Sequence, residues 1–448
     1  MDAGPGSGGD GVAEARRRYA LERELRIGAD RSFLGETHAD AVPAHFLADP
    51  FAPVLARDPV SDDVDVAIVG AGIAGVVTGA KLRAEGDLRI RLLDVAGGVG
   101  GSWYWNRYPG VMCDVESYIY LPMLEEMGVV PTRKYATGEE IRTHVEDIAR
   151  VHGLLDDALF HTRVTESRFD DGSARWILTT DRGDRIRARF VVLAVGFLNL
   201  VKLPALPGLD SFAGDAFHAS RWDYSVTGGA PGDPCLDGLS GRVVGVIGTG
   251  ASAVQCVPPL AAWAEHLYVF QRTPTAVGER DDGPTPLDFT EGLEPGWQRA
   301  RMENFTALLS GAAVERDLVA DGWTRHLGRI VRPPVPPGAT AEEIAAAGEA
   351  ADLAVMDAHR ARIDAIVHDP AVAELLKPHY RYMCRRPCFH DDYLPTFNRP
   401  NVTLVDCPQG VTAVTSRGIV ANGTGYDLDV IVFATGFEAE LTPLPRRA

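Results

Sequence analysis

Two copies of one local pattern limit what this chain can become. Residues 64–70 read VDVAIVG, and the chain then runs through Gly70-Ala-Gly72-Ile-Ala-Gly75, a helix-like stretch and the apolar run IRLLD. A glycine turn between a strand and a helix, with a second strand behind it, predicts a βαβ unit and hence a parallel sheet. Each glycine has its own reason. Gly70 permits the tight turn, Gly72 lets a pyrophosphate approach the backbone, and Gly75 lets helix and sheet pack closely. The helix N-terminus then faces the phosphates. Asp94 ends the second strand, where a carboxylate can accept hydrogen bonds from a ribose diol. A glycine turn can also serve packing alone, but here strand, helix and terminal acid follow in order.

The second copy begins at residue 242 with RVVGVIG and continues as Gly248-Thr249-Gly250-Ala251-Ser252-Ala253. Alanine in the third place is an accepted variant of the turn. The acid is missing. At its offset stands Arg272, followed by Thr273. Exchanging a carboxylate for a guanidinium turns a ribose-diol site into one for a ribose 2′-phosphate, so the second fold is expected to take NADPH rather than NADH. The alternative is an arginine that pairs with a surface carboxylate.

The rest of the composition narrows the partners. A formal net charge of −18 over 448 residues argues against nucleic acid or an anionic membrane as a partner. No apolar run spans a bilayer, and the glycine-rich start lacks the apolar core of a signal peptide, so a cytoplasmic protein is expected. Cys113, Cys235, Cys256, Cys384, Cys388 and Cys407 form no CxxC pair and have no histidines at zinc spacing, so they read as reduced thiols and no metal site is expected.

Residues 1–60 read as a tail and a charged helical extension, the helix lying around 13–26. The first nucleotide fold is expected over 61–200 and the second over 201–380. Ala, Glu and Arg at helical spacing, broken by RPPVPPG, mark a helical insertion at about 285–380. Strand character returns over 401–437. This last piece, within a unit spanning 381–448, is expected to rejoin the first sheet.

Two further stretches carry a resemblance. Residues 100–114, GGSWYWNRYPGVMCD, and 212–223, FAGDAFHASRWD, resemble the signature motifs of the flavin-dependent Baeyer-Villiger monooxygenases. The second has the form FxGxxxHxxxW followed by Pro or Asp, met by Phe212, Gly214, His218, Trp222 and Asp223 just ahead of the second nucleotide fold. The resemblance runs from about residue 19 to 437. It implies an α/β architecture of two Rossmann-like domains, one for FAD and one for NADPH, with the helical insertion in the second.

It also implies the reaction and the residues that serve it. Such an enzyme inserts one oxygen atom of O2 beside a ketone carbonyl through a flavin peroxide, giving an ester or lactone. By the match of CRRPCFHDDYLPTFNR, Arg386 is the active-site arginine and Arg385 joins Arg272 on the 2′-phosphate. Arginine suits an anionic oxygen because it stays charged and offers planar donors. Asp114 can orient it through a bidentate pair; without the surrounding motifs such a pair would read as a buried structural salt bridge, and with them the catalytic reading is preferred. Gly101, Trp103 and Tyr120 match FAD contacts, and Val164 matches a residue whose backbone meets adenine. His218 taken singly reads equally well as a hydrogen-bonded linker histidine.

Family members continue well past the VIVFATGF segment near Ile431, whereas this chain ends soon after it. The expectation is an incomplete flavin domain with apolar sheet surface left uncovered. The extension ahead of the first fold resembles members that act on large cyclic or terpenoid ketones. Two rivals stand beside the ketone monooxygenase: an N- or S-oxygenating flavin monooxygenase, and a truncated, non-catalytic nucleotide-binding remnant. Trp222 and Asp223 at the end of the motif favour the ketone branch.

Overall fold

The computed structural model describes residues 9–27 and 42–438. The start of the chain at 1–8 and the terminal residues 439–448 lie outside them. Helix α1 (Gly9–Ile27) is the expected charged extension.

The first unit consists of β1 (Ser61–Val69), α2 (Ile73–Glu85), β2 (Ile90–Leu93), β3 (Val164–Asp170), β4 (Arg175–Thr180) and β5 (Arg185–Leu193). Its sheet runs in the order β2-β1-β5-β4-β3, parallel across β2, β1 and β5 and antiparallel beyond. Ala67 and Ile68 on β1 are fully buried, which is what a central parallel strand covered on both faces requires. At the end of β5 and just past it, where the chain crosses to the second unit, Phe190, Leu193, Val195 and Phe197 are each more than half exposed.

The second unit consists of β6 (Asp215–His218), β7 (Val243–Ile247), α3 (Ala251–Trp263), β8 (His266–Gln271), β9 (Val402–Asp406) and β10 (Val430–Phe433). These strands form an all-parallel sheet in the order β9-β8-β7-β10-β6. This corrects one expectation. The segment 401–437 does not rejoin the first sheet, because β9 pairs with β8, and β10 inserts between β7 and β6. The reason is burial: Val430, Ile431, Val432 and Phe433 are all fully buried, so β10 suits an interior strand with helices on both sides. Phe437 then bridges back to Val201 beside the earlier crossing.

The insertion holds α4 (Trp297–Leu309), α5 (Gly322–Val331), α6 (Ala341–Ile366) and α7 (Pro370–Leu376). The proline-rich linker ends at α6 in a capping box, in which Thr340 and Glu343 satisfy each other's backbone N–H groups. Replacing such a cap with alanine costs about 1 kcal/mol. All six cysteines are free thiols. Among the described residues no helix is long and apolar enough to cross a membrane, and no cluster of potential metal ligands occurs.

Candidate active site

Both glycine turns are fixed by close approaches of the backbone. Gly70 has φ +110°, and a Cβ there would stand 2.3 Å from the Ala194 carbonyl oxygen; Gly248 has φ +115° and would meet Ala434 O at 2.4 Å. Gly72 and Gly250 cap α2 and α3 without any side-chain hydrogen bond to the helix N–H groups. A Cβ on Gly250 would meet nothing within 4 Å, so the space before α3 is open. Two helix N-termini with unclaimed donors fit two dinucleotides. Gly75 packs on the Gly70 carbonyl, and Gly101, at φ +57°, packs on the Gly72 backbone.

Asp94 is more occupied than its sequence position suggests. Its Oδ2 accepts from Ala71 N at 2.5 Å and its Oδ1 from Ala96 N at 2.8 Å. The carboxylate thus ties the glycine turn to the end of β2. Burial raises its pKa, against the pull of those N–H groups.

A cleft of about 1420 Å³ opens along the junction of the two units. The first fold lines it with Trp103, Asp114 and Tyr120. Gly248, Thr249, Gly250, Ser252, Arg272, Thr273, Arg385 and Arg386 line it from the second. Here Arg386 Nη1 and Nη2 each donate to one Asp114 oxygen, both at 2.6 Å. Burial disfavours the guanidinium charge, but the Asp114 hydrogen bonds and charge outweigh it, raising the pKa. Asp114 is buried while the Arg386 side chain keeps 50% of its surface exposed, so the pair presents a cation to the cleft. Trp323 of α5 holds it from behind: its Nε1–H donates to Asp114 O at 2.9 Å, and Arg386 Cζ lies 5.3 Å from its ring centroid.

The other end of the cleft is basic. The Thr273 carbonyl accepts from Thr249 Oγ1 at 2.7 Å and from Arg385 Nη1 at 3.0 Å, which brings Arg385 beside Arg272. Burial, and then Arg385, lower the Arg272 pKa. Two guanidiniums held together against their repulsion suit a phosphate dianion. Trp103 Nε1 donates to Tyr120 Oη at 3.0 Å with the rings edge to face, fixing two aromatics at the first fold's side.

Comparisons with known proteins give the family and the fold. Residues 68–127 match the NAD(P)-binding Rossmann-like domain family. The chain is 53% identical over 439 residues to pentalenolactone D synthase of Streptomyces arenae, covering 97% of this chain and 74% of that protein. It is 48% identical over 436 residues to a Baeyer-Villiger monooxygenase of Streptomyces coelicolor, covering 96% and 72%. The chain belongs to the Baeyer-Villiger monooxygenases. Its fold matches the polycyclic ketone monooxygenase of Thermothelomyces thermophila with a TM-score of 0.85 and 39% identity, over 95% of this chain and 72% of that one. OTEMO, solved with FAD and NADP, matches with a TM-score of 0.67 and 29% identity, over 84% and 71%. Members of this family are flavin monooxygenases that use FAD and NADPH.

In this Baeyer-Villiger monooxygenase the FxGxxxHxxxW motif does not line the cleft. Trp222 is fully buried, with Nε1 donating to Thr227 Oγ1 at 3.0 Å. Asp223 caps the following short helix by accepting from Ser225 N at 2.9 Å. Gly214 lies against the Phe212 ring and the Asp429 carbonyl. His218 is buried at the end of β6, its Nδ1 bonded to Ser220, its Nε2 without a hydrogen-bond partner, and its ring against Phe437, which does line the cleft. Burial lowers its pKa to about 3. The motif therefore braces the edge of the second sheet. Val164 starts β3 and packs with the first unit's core, and Ala253 is buried inside α3; neither lines the cleft.

Three contributors were not singled out from sequence. Trp323 gave no local signal. Gln255 was visible as a lone polar residue in an apolar helix: its Oε1 accepts from Tyr108 Oη at 2.9 Å and its Nε2 donates to Met112 O at 2.8 Å. This contact stitches α3 to the GGSWYWNRYPGVMCD segment, so the two folds meet through a buried polar bridge. The third, Arg26 of α1, also lines the cleft.

Proposed function

We propose that this chain oxidises a large cyclic ketone, polycyclic or terpenoid, to its lactone, with Arg386 and Asp114 as the catalytic pair. The observation that carries the reading is the doubly bonded Asp114–Arg386 pair at the mouth between the two nucleotide folds. Bound FAD would supply the redox chemistry between NADPH and O2. The protein supplies position and charge. Asp114 and the Pro387 carbonyl take part of the donor set of Arg386, and its remaining N–H groups are available to an anionic oxygen. Gly70, Gly72, Gly75, Gly101, Asp94, Trp103 and Tyr120 would hold FAD; Gly248, Thr249, Gly250, Ser252, Arg272, Thr273 and Arg385 would hold NADPH.

The 0.85 TM-score to a polycyclic ketone monooxygenase supports the substrate class. Overall, ketone, O2, NADPH and a proton give lactone, NADP+ and water. The test is anaerobic addition of NADPH to the FAD-loaded chain, followed by air and a panel of mono- and polycyclic ketones. Flavin bleaching and then lactone from the larger ketones is expected. Failure to bleach would favour the nucleotide-binding remnant, and sulfoxide formation without any ester would favour the S-oxygenating rival.

A further inference from the structure

We propose that Arg26 of α1 sets the coenzyme selectivity of the second fold by cancelling Asp406, a carboxylate that would otherwise repel the 2′-phosphate. The inference rests on the NADPH reading above. Arg23 and Arg26 line the same cleft as Arg272 and Arg385. Arg26 Nη1 donates to the main-chain oxygen of Arg272, the residue whose side chain is assigned to the phosphate. The same guanidinium donates to Asp406 Oδ1 at 3.2 Å and, through Nε, to Glu22 Oε2 at 2.8 Å. Asp406 ends β9 in register with Gln271, and so stands one residue from Arg272 across the sheet. Gln271 Nε2 also donates to it, at 3.0 Å.

The charge balance decides the role. A phosphate monoester carries about −1.5 to −2 at neutral pH. Without Arg26, Asp406 would put a further negative charge close to it, whereas Glu22 keeps a second partner in Arg18 at 3.2 Å. The Arg26 and Asp406 side chains are only 10% and 13% exposed, so solvent screens them less than surface charges. A coenzyme without the 2′-phosphate brings no charge to this corner and is indifferent to them. Arg26 is thus a positioning residue that acts on selectivity. α1 keeps other anchors, since Gln409 Nε2 donates to Leu25 O at 2.7 Å and Arg16 Nε donates to Glu349 Oε1 at 2.8 Å.

The test is calorimetric titration of the full chain with 2′,5′-ADP and with 5′-AMP, which differ by the 2′-phosphate. Arg26→Ala is expected to weaken 2′,5′-ADP binding about tenfold while leaving 5′-AMP within about twofold. Adding Asp406→Asn to that variant should recover most of the loss. Equal weakening of both ligands, or of neither, overturns the role of Arg26. A wild-type chain that binds 5′-AMP but shows no preference for 2′,5′-ADP overturns the NADPH assignment itself, and this inference with it.

Discussion

Asp114 and Arg386 lie 272 positions apart in the chain, yet each oxygen of one meets a separate nitrogen of the other at 2.6 Å. Planar fork geometry gives this pair its orientation, and lysine cannot reproduce it. Arg386→Lys keeps the charge and loses the second hydrogen bond. Lactone formation is expected to fall about 100-fold or more, with hydride transfer from NADPH much less affected. The measurement is the ratio of lactone to hydrogen peroxide per NADPH consumed. Lactone yield unchanged in Arg386→Lys and in Arg386→Ala would remove the pair from catalysis.

Trp323 supports this pair through one N–H and one ring face. Trp323→Phe keeps a ring but leaves the Asp114 carbonyl oxygen without its partner. An unsatisfied buried acceptor costs about 1–3 kcal/mol. The expected outcome is a lower Tm together with more peroxide released per turnover. A Tm loss with unchanged coupling would make Trp323 a packing residue only.

Which parts of this site could be read from sequence follows from how local each constraint is. The glycine turns were legible because the φ values of Gly70 and Gly248 and the close approach of Gly75 are fixed within a few residues. The exchange of Asp94 for Arg272 was legible because strand length fixes its offset. Arg386 and Asp114 were paired only through the motifs that contain them, since no periodicity links residues so far apart. Trp323 and Arg26 act across still other distant contacts, and nothing in their neighbours marks them. Strand 430–433 was assigned to the wrong sheet because an all-apolar run fits the interior of either; the choice lies in tertiary packing. The FxGxxxHxxxW motif was recognised correctly as a pattern, but its residues brace an edge and do not enter the cleft.

Gly248 and Gly250 separate folding from coenzyme binding. At Gly248 a methyl group would meet Ala434 O at 2.4 Å in a backbone with φ +115°, so Gly248→Ala should destabilise the second fold by about 2 kcal/mol or more. Gly250 has φ −80° and open space around its Cβ. Gly250→Ala should therefore fold with a Tm close to wild type, while its methyl group intrudes where a pyrophosphate would lie. NADP+ binding about tenfold weaker at an unchanged Tm is the expected result. Calorimetric titration alongside thermal melts distinguishes the two variants, and normal NADP+ binding by Gly250→Ala would displace the pyrophosphate from this turn.

Buried histidines predict how stability depends on pH. Burial, reinforced by neighbouring arginines, lowers His218 and His390 to about 3. For His326 and His379 the same causes give about 4. His359 also falls to about 4, through burial and then His326. An unfolded chain binds a proton at these sites near pH 6.5, well before the folded protein does. Their contribution is therefore complete above pH 6.5 and is lost as pH falls toward 3–4. Asp321 works the other way: burial raises it to about 6, so its contribution is present below its unfolded value and lost as pH rises through 6. Burial also raises Asp94, Glu116 and Asp352, which oppose the histidines in the same sense as Asp321; with the five histidines dominant, the Tm should fall from pH 7 to pH 5. Each histidine adds up to about 1.4 kcal/mol per pH unit within its window. His218→Gln cannot take up a proton, so its Tm should fall less steeply over that range. A slope identical to wild type would mean that His218 is protonated in the folded protein, and that Nε2 has found an acceptor at the end of β6.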